Sequence, residues 1–347
     1  MILSTTQELR LHVPSNAVDD VTLIQGILDN SEKDFLKDKL GTSLYDALCL
    51  RYREKTVPQD FVDSVLDGTH ASDPWAALLL NAQRMIANDA MARFAYQQAI
   101  SVNGMGVNTA NSSDYDTASE KLLDKGVQGY RKEAMVSLNN LLLLLETWAE
   151  QVDTPMAIAD TDTADVATDE TTDETGSTET DEHAAIEEIV TLWQESRYYY
   201  LHGDLLIPTC SCLQEYLDVY DSRDKFIRLL PDLRFIQDEY VADTVGDELL
   251  SELLHSDGTA DQKLLRRVRR LMVALLEERT AVLNIDKVRR QAAHDEAVSL
   301  RQSIAAAVKT RAEEAAAAVK QESEPSATSG FKNNQPGSRM FVAPMIY

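Results

Sequence analysis

The strongest constraint on the fold is an acidic segment in the middle of the chain, residues 151–183. It carries eleven Asp or Glu side chains among Thr, Ala, Ser and Gly, and it contains no Lys or Arg. Like charges keep such a segment extended, and it has too little apolar surface to offset a conformational entropy of about 1–2 kcal/mol per residue. We therefore predict a disordered linker that joins two folded parts.

The sequence on both sides of this linker indicates helices, because Leu and Ala are frequent whereas Gly and Pro number only 13 and 9. Apolar periodicity predicts a helix over residues 21–40 and a second helix directly after Gly41. It also predicts helices over residues 75–102, 117–150, 184–202, 210–222, 224–254 with a break at Gly246, and 260–322, and a loop over residues 103–116. The predicted fold class is all-α, with helical-bundle domains at residues 1–150 and 184–322. The second domain ends in a long helix, and residues 323–347 form an extended C-terminal arm.

An internal repeat relates the two predicted domains. When Gly41 is placed on Gly246, apolar residues coincide at six positions, from Ile24 with Leu229 to Leu48 with Leu253. An aromatic pair, Phe35 with Tyr240, and an Asp pair, Asp38 with Asp243, coincide as well. Any two amphipathic helix–Gly–helix units would match at apolar positions, and this alternative stays open. The aromatic and Asp pairs favour duplication, because amphipathicity alone does not require them.

The sequence carries no pattern typical of catalysis or of cofactor binding. It has no Gly-Lys-Ser/Thr phosphate loop and no Gly-x-Ser-x-Gly nucleophile elbow. His202 with Cys210 and Cys212 is the nearest approach to zinc-ligand spacing, but no fourth ligand accompanies them. We expect these two thiols and Cys49 to be reduced. The prediction is a protein that is not an enzyme and has no metal or cofactor.

Charge and hydropathy limit the partners. The net charge of −25 makes wrapping of nucleic acid or attraction to an anionic membrane unfavourable. No apolar run reaches the roughly 18–20 residues of a membrane span, and the first residues lack an export signal. We therefore expect a protein that functions without a membrane.

Two segments are candidate partner-binding surfaces. Arg266, Arg269 and Arg270 lie close together on one predicted helix, where a solvated or ion-paired face is the alternative to a partner contact. The C-terminal segment, residues 339–347, follows a Ser/Gly/Asn/Pro-rich stretch and is predicted to dock on a partner groove or to fold back on its own chain. Its candidate contact residues are Phe341, Val342, Met345, Ile346 and Tyr347, which would bury apolar surface at about 25 cal/mol per Å².

The motif Asp34-Phe-Leu-x-Asp-x-Leu-Gly-x-x-Leu-Tyr-x-x-Leu48 and the helix that contains Asn81-Ala-Gln-Arg-Met-Ile-Ala87 carry a family resemblance. With them, the chain resembles the helical head-tail connector (adaptor or neck-ring) proteins of tailed bacteriophages. It is particularly similar to connector-like proteins of Bacteroidales phages and prophages. This closer resemblance is also carried by Trp193–Tyr200, Leu206–Pro208 and the apolar C-terminus. The chain is more than twice as long as the simplest connectors.

The resemblance implies a structural virion protein that assembles in the host cytoplasm. About twelve copies would form a homo-oligomeric ring below the portal protein. The ring would extend the DNA channel without sequence-specific DNA binding and serve as a platform for neck or tail proteins. The alternative from the residues alone is a soluble helical scaffold or regulatory protein of prophage or bacterial origin. Such a protein would bind its partner through the helix predicted at residues 260–322.

Overall fold

A computed structural model describes residues 1–13, 18–98, 100–103, 106–109, 120–153, 176–196, 199–255, 261–283 and 286–323. The all-α prediction is confirmed, because helices form most of this part of the chain and the strands described there make one short hairpin. The chain divides into two compact units, Met1–Leu229 and Leu230–Tyr347.

The first unit is built on a long helical hairpin. Its elements are α1 (Thr6–His12), a 3₁₀ turn (Val21–Ile24), α2 (Gln25–Ser31), a π-helical turn (Glu32–Leu36), α3 (Lys37–Leu40), α4 (Thr42–Lys55), α5 (Pro58–Asp67), a 3₁₀ turn (Thr69–Ser72), α6 (Pro74–Gln98), β1 (Ile100–Asn103), β2 (Gly106–Thr109), α7 (Glu120–Asp153), α8 (Gly176–Gln194) and α9 (Cys210–Gln214). Helices α6 and α7 pack along each other, and α8 packs on α4, α6 and α7. Buried residues surround much of α6, so this helix forms the centre of the unit.

The division between the units falls within α10 (Arg223–Ile236). The second unit continues with a π-helical turn (Gln237–Val241), α11 (Ala242–Val245), α12 (Asp247–Leu254), α13 (Gln262–Leu283) and α14 (Lys287–Ser323). The last two helices are antiparallel, since ion pairs join Arg270 to Glu296 and Glu277 to Arg289. They bury the apolar face of α13, including Leu271 and Leu276.

The predicted repeat is present in the backbone. A π turn, a four-residue helix and a glycine with positive φ follow one another at residues 32–41 and again at residues 237–246. Gly41 has φ 81° and ψ 167°, and Gly246 has φ 84° and ψ 151°. L side chains rarely adopt this conformation, which explains why glycine stands at both positions. We call these segments the Gly41 corner and the Gly246 corner.

The structure differs from four of the predicted helices and from the predicted loop. The single helix expected over residues 260–322 is two antiparallel helices, and Asp286 accepts a hydrogen bond from the backbone of Arg289 as α14 begins. The helix expected over residues 210–222 is only the short α9, and that expected over residues 184–202 ends at Gln194. The helix expected over residues 75–102 ends at Gln98, and β1 takes the place of its last residues. Strand β1 pairs antiparallel with β2, which lies within the predicted loop.

The compact units also differ from the predicted domains of residues 1–150 and 184–322. Residues 184–229 belong to the first unit because α8 packs on α4, α6 and α7. Of the predicted linker, residues 154–175 lie outside the described part of the chain, whereas residues 151–153 and 176–183 are helical. The arm of residues 323–347 lies outside it too, except for Ser323 at the end of α14.

Candidate functional site

The predicted basic cluster lies on α13. Arg266 is exposed, Arg269 is partly buried, and Arg270 is exposed and pairs with Glu296 on α14 at 3.3 Å. At least one of the three arginines, Arg270, therefore forms an ion pair within the second unit. The other predicted surface, formed by Phe341, Val342, Met345, Ile346 and Tyr347, lies outside the described residues.

The cysteine and histidine residues considered as metal ligands are not brought together as a site. Cys210 is buried, and burial raises the pKa of its thiol to about 11, although nearby Arg223 acts in the opposite direction. The ring of His202 instead packs edge-on against Tyr199. Within the described ranges, no three His, Cys, Asp or Glu side chains are placed to hold a metal ion. None of the three cysteines forms a disulfide.

A buried polar network anchors the first residues of the chain to the first unit. Glu8 accepts hydrogen bonds from Tyr52 at 2.8 Å and from Gln83 at 2.9 Å. Glu32 accepts from Tyr45 at 2.9 Å and from the backbone of Ile2 at 2.7 Å. Burial above all, together with the neighbouring carboxylates, raises the pKa of both tyrosines. These groups are mutually satisfied, which is the arrangement expected of a structural network.

This network was not predicted from the sequence, because the identity of a polar residue does not show which residue it will hydrogen-bond with. The repeat offers a partial indication, since Glu32 coincides with Gln237 and both begin a π turn. Both side chains are buried. A π turn widens the helix by one residue and often marks a site with a special packing requirement.

The second unit has a groove of about 280 Å³ beside its π turn, lined in part by three arginines. The guanidinium group of Arg301 lies 4.9 Å from the ring centre of Tyr240. That of Arg279 lies 4.6 Å from the ring centre of Phe235 and pairs with Asp232 at 2.7 Å. These cations pack against aromatic rings and carboxylates of their own unit. Two of the three arginines thus have structural contacts.

The two glycine corners differ in what covers them. Gly41 is buried, and an added Cβ would collide with Ser196, just beyond the end of α8. Gly246 is exposed, and no atom lies within 4 Å of an added Cβ. Leu44 is fully buried beside the first corner, whereas its counterpart Leu249 is only partly buried. Among the described residues, the second corner therefore lacks the cover that the first has.

A groove of about 560 Å³ opens at the Gly246 corner, between α12 and α14. We call it the Gly246 groove; it is lined by Val245, Gly246, Asp247, Glu248, Leu249, Glu252, Val308, Arg311, Ala312 and Ala315. Its apolar residues come from both helices, while Asp247 and Glu248 are exposed. Arg311 pairs with Glu252 at 2.5 Å and so joins the two walls. The shape and composition suit an apolar segment of chain rather than a small polar substrate.

These features define a class of protein: an all-α chain built on a duplicated helical corner, one copy covered and the other open. A family of unknown function, DUF6712, matches residues 36–151, from the last residue of the first π turn to the last turn of α7. The chain is similar to that family over this range. No curated protein and no solved structure matches the chain. None of the described helices has the length and apolarity needed to cross a membrane.

Proposed function

We propose that this chain is a head-tail connector of a tailed bacteriophage, a structural virion protein that assembles into a ring below the portal. The proposal rests on the resemblance carried by residues 34–48 and 81–87 and on the all-α fold in which those residues lie. The ring of about twelve copies would continue the DNA channel and provide a platform for neck or tail proteins.

The observation that carries the proposal is the inequality of the two corners. The Gly41 corner is covered by Ser196, whereas none of the described residues covers the Gly246 corner, which lies beside a groove lined by apolar and charged residues. A groove on one copy and an apolar segment on the next form a contact between two different surfaces. Such a heterologous contact produces a closed ring when its rotation closes, whereas a contact between identical surfaces produces a dimer.

The charge of the chain agrees with a DNA channel. A net charge of −25 repels the phosphate backbone, so DNA could pass through a ring of such subunits without binding its wall. The exposed acids on the rim of the Gly246 groove also disfavour DNA as its occupant. We therefore assign subunit contacts, rather than nucleic-acid recognition, to this surface.

The direct test is the mass of the purified chain by light scattering, followed by electron microscopy of the same sample, alone and mixed with a candidate portal protein. Rings of roughly twelve copies, free or on the portal, are the expected result. A monomer that ignores the portal, and that is absent from purified virions by mass spectrometry, would contradict the proposal.

A second candidate function is a soluble helical scaffold or regulatory protein that binds a partner through its C-terminal helix. Residues 312–317 of α14 are exposed and Ala-rich, which favours this candidate. Such a stretch has high helix propensity but little to bury within its own chain. Absence from virions together with capture of a host protein by α14 would favour this second function over the connector.

A further inference from the structure

The two halves of the repeat provide an internal comparison for the Gly246 corner. At the first corner, the end of α8 covers the glycine and α4 packs on α8. At the second corner, α14 passes beside α11 and leaves Gly246 and the partly buried Leu249 accessible. Because the backbone of the two corners is the same, the open one presents a surface that its counterpart covers with another segment.

The chemistry of the Gly246 groove restricts what could cover it. Leu249, Val308 and Ala312 offer apolar contacts, while Asp247 and Glu248 place negative charge at the rim. A fitting segment is therefore apolar, narrow and preceded or followed by a cation. A polyanion does not fit, because the rim would repel it.

Residues 339–347 have this chemistry. The sequence is Arg-Met-Phe-Val-Ala-Pro-Met-Ile-Tyr, with Arg339 directly before the apolar residues. Fifteen residues separate the segment from the end of α14, a maximum reach of about 50 Å at roughly 3.3 Å per residue. From Ala315 to Ser323 the helix itself spans only about 12 Å. The reach exceeds this distance about fourfold, so the spacer does not confine the segment to the groove of its own chain.

We propose that the Gly246 groove binds residues 339–347 of a neighbouring copy and that this contact joins successive subunits. The choice of a neighbour as the source rests on the proposed function, which requires a contact between unlike surfaces. The apolar residues of the segment pack on α12 and α14, and Arg339 lies near the acidic rim. The segment thereby plays at the second corner the covering role that the end of α8 plays at the first.

Photo-crosslinking in the full chain tests this proposal without assuming a register. The chain carrying p-benzoylphenylalanine in place of Phe341 is mixed with isotope-labelled chain of natural sequence, irradiated, digested and analysed by mass spectrometry. We expect cross-links from the unlabelled segment to residues 245–252 or 308–315 of labelled chains. Ala312→Glu in the labelled chain should reduce their yield roughly tenfold, which corresponds to about 1.4 kcal/mol.

The controls separate binding from folding. Ala312 is exposed, so its substitution buries no charge; Leu249→Glu is a second variant on the opposite wall. Val288→Glu is the matched control, because Val288 is 82% exposed on α14 and does not line the groove. It should leave the yield within about twofold of the natural chain. Circular dichroism of each variant checks that the helices persist.

Each outcome bears on a separate statement. Cross-links within one chain only would contradict the proposal that the segment comes from a neighbouring copy. Cross-links to other surfaces would contradict the assignment of the Gly246 groove as its binding site. If Ala312→Glu leaves both the cross-links and the mass of the ring unchanged, the groove assignment is wrong while the connector function stands. If the natural chain is monomeric and ignores the portal, the proposed function fails, whatever the cross-links show.

Discussion

Arg223 donates a hydrogen bond from Nε to Oε2 of Glu146 at 2.6 Å, and the two side chains are only 5% and 6% exposed. The other carboxylate oxygen of Glu146 accepts from Tyr200 at 2.7 Å, and the backbone of Arg223 donates to Asn139 at 2.9 Å. The pair fixes the start of α10 to α7 within the first unit. Each charge depends on the other, because burial separates both side chains from solvent.

Arg223→Met should therefore lower the free energy of unfolding of the first unit by about 3–5 kcal/mol, since it leaves Glu146 buried without its cation. Arg228→Met is the control, because Arg228 is 75% exposed in its pair with Asp224, and it should cost less than about 1 kcal/mol. Urea unfolding followed by Trp fluorescence measures both. All three Trp residues, at positions 75, 148 and 193, lie in the first unit. Equal effects of the two substitutions would contradict the role of burial.

The network around Glu8 predicts a dependence of stability on alkaline pH. Burial and the nearby Glu8 carboxylate raise the pKa of Tyr52 above its ordinary value of 10.0. The unfolded chain therefore releases this proton first, and stability falls as the pH rises above about 10. Tyr52→Phe should cost about 1.5–3 kcal/mol at neutral pH, through loss of a hydrogen bond to a charged group. The difference in free energy of unfolding between Tyr52→Phe and the natural chain should shrink above pH 10, as measured by Trp fluorescence.

Tyr220→Phe is the control for this measurement, because Tyr220 is 81% exposed. It should leave both the neutral stability and the alkaline slope unchanged. A deficit of Tyr52→Phe that stays constant from about pH 8 to pH 11 would show that the Tyr52 proton is not linked to folding.

The unequal corners predict unequal effects of the same substitution. Gly41→Ala introduces both a strained positive φ and a collision with Ser196, whereas Gly246→Ala introduces the strain alone. The strain costs about 1–3 kcal/mol. We expect Gly41→Ala to destabilise the first unit by more than Gly246→Ala destabilises the second, with Trp fluorescence for the former and far-ultraviolet circular dichroism for the latter.

A compensating change distinguishes the two contributions at Gly41. Ser196→Gly in the Gly41→Ala chain removes the colliding side chain and should recover part of the lost stability. If it recovers none, backbone strain alone explains the loss, and the two corners are energetically alike despite their different cover.

Much of the architecture could be predicted because apolar residues at helical spacing indicate helices, as in α6 and α7. The glycine corners were accessible because only glycine tolerates their backbone, so Gly41 and Gly246 coincide in the repeat. The π turns could not be predicted, since the same apolar pattern is compatible with an α-helix. Glu32 and Gln237 begin these turns and are buried, and the apolar pattern carries no information about their burial.

Other differences between the predicted and the observed helices had signals in the sequence, but the apolar periodicity was given more weight than these signals. Thr5 and Glu8 form a capping box at the start of α1, and Asp286 precedes α14 with the composition of an N-cap. The helix propensity on both sides of Asp286 concealed the end of α13 at Leu283. The boundary between the units was not readable at all, because it depends on α8 packing back on the first helices across the acidic segment.

The acidic segment provides a prediction about the first unit. Deleting residues 160–170 should change the Trp-monitored free energy of unfolding by less than about 1 kcal/mol, because loop-closure entropy varies slowly with length and none of the described core residues lies in the deleted range. A loss of several kcal/mol would show that these residues contribute packing. Replacing the same residues with Gly and Ser tests whether their charge, rather than their length, is responsible.

The C-terminal segment provides the most direct prediction about assembly. Deleting residues 339–347 removes six large apolar side chains, Met340 and the five candidate contact residues, each able to contribute about 1.5–3 kcal/mol when fully buried in a partner groove. None of the described core residues belongs to this segment. We therefore expect unchanged helical content by circular dichroism but a mass, by light scattering, that falls from the ring to the single chain. Deleting residues 326–329 instead shortens the spacer, keeps the segment and should preserve the ring. Rings that survive the first deletion would show that another surface holds the subunits together.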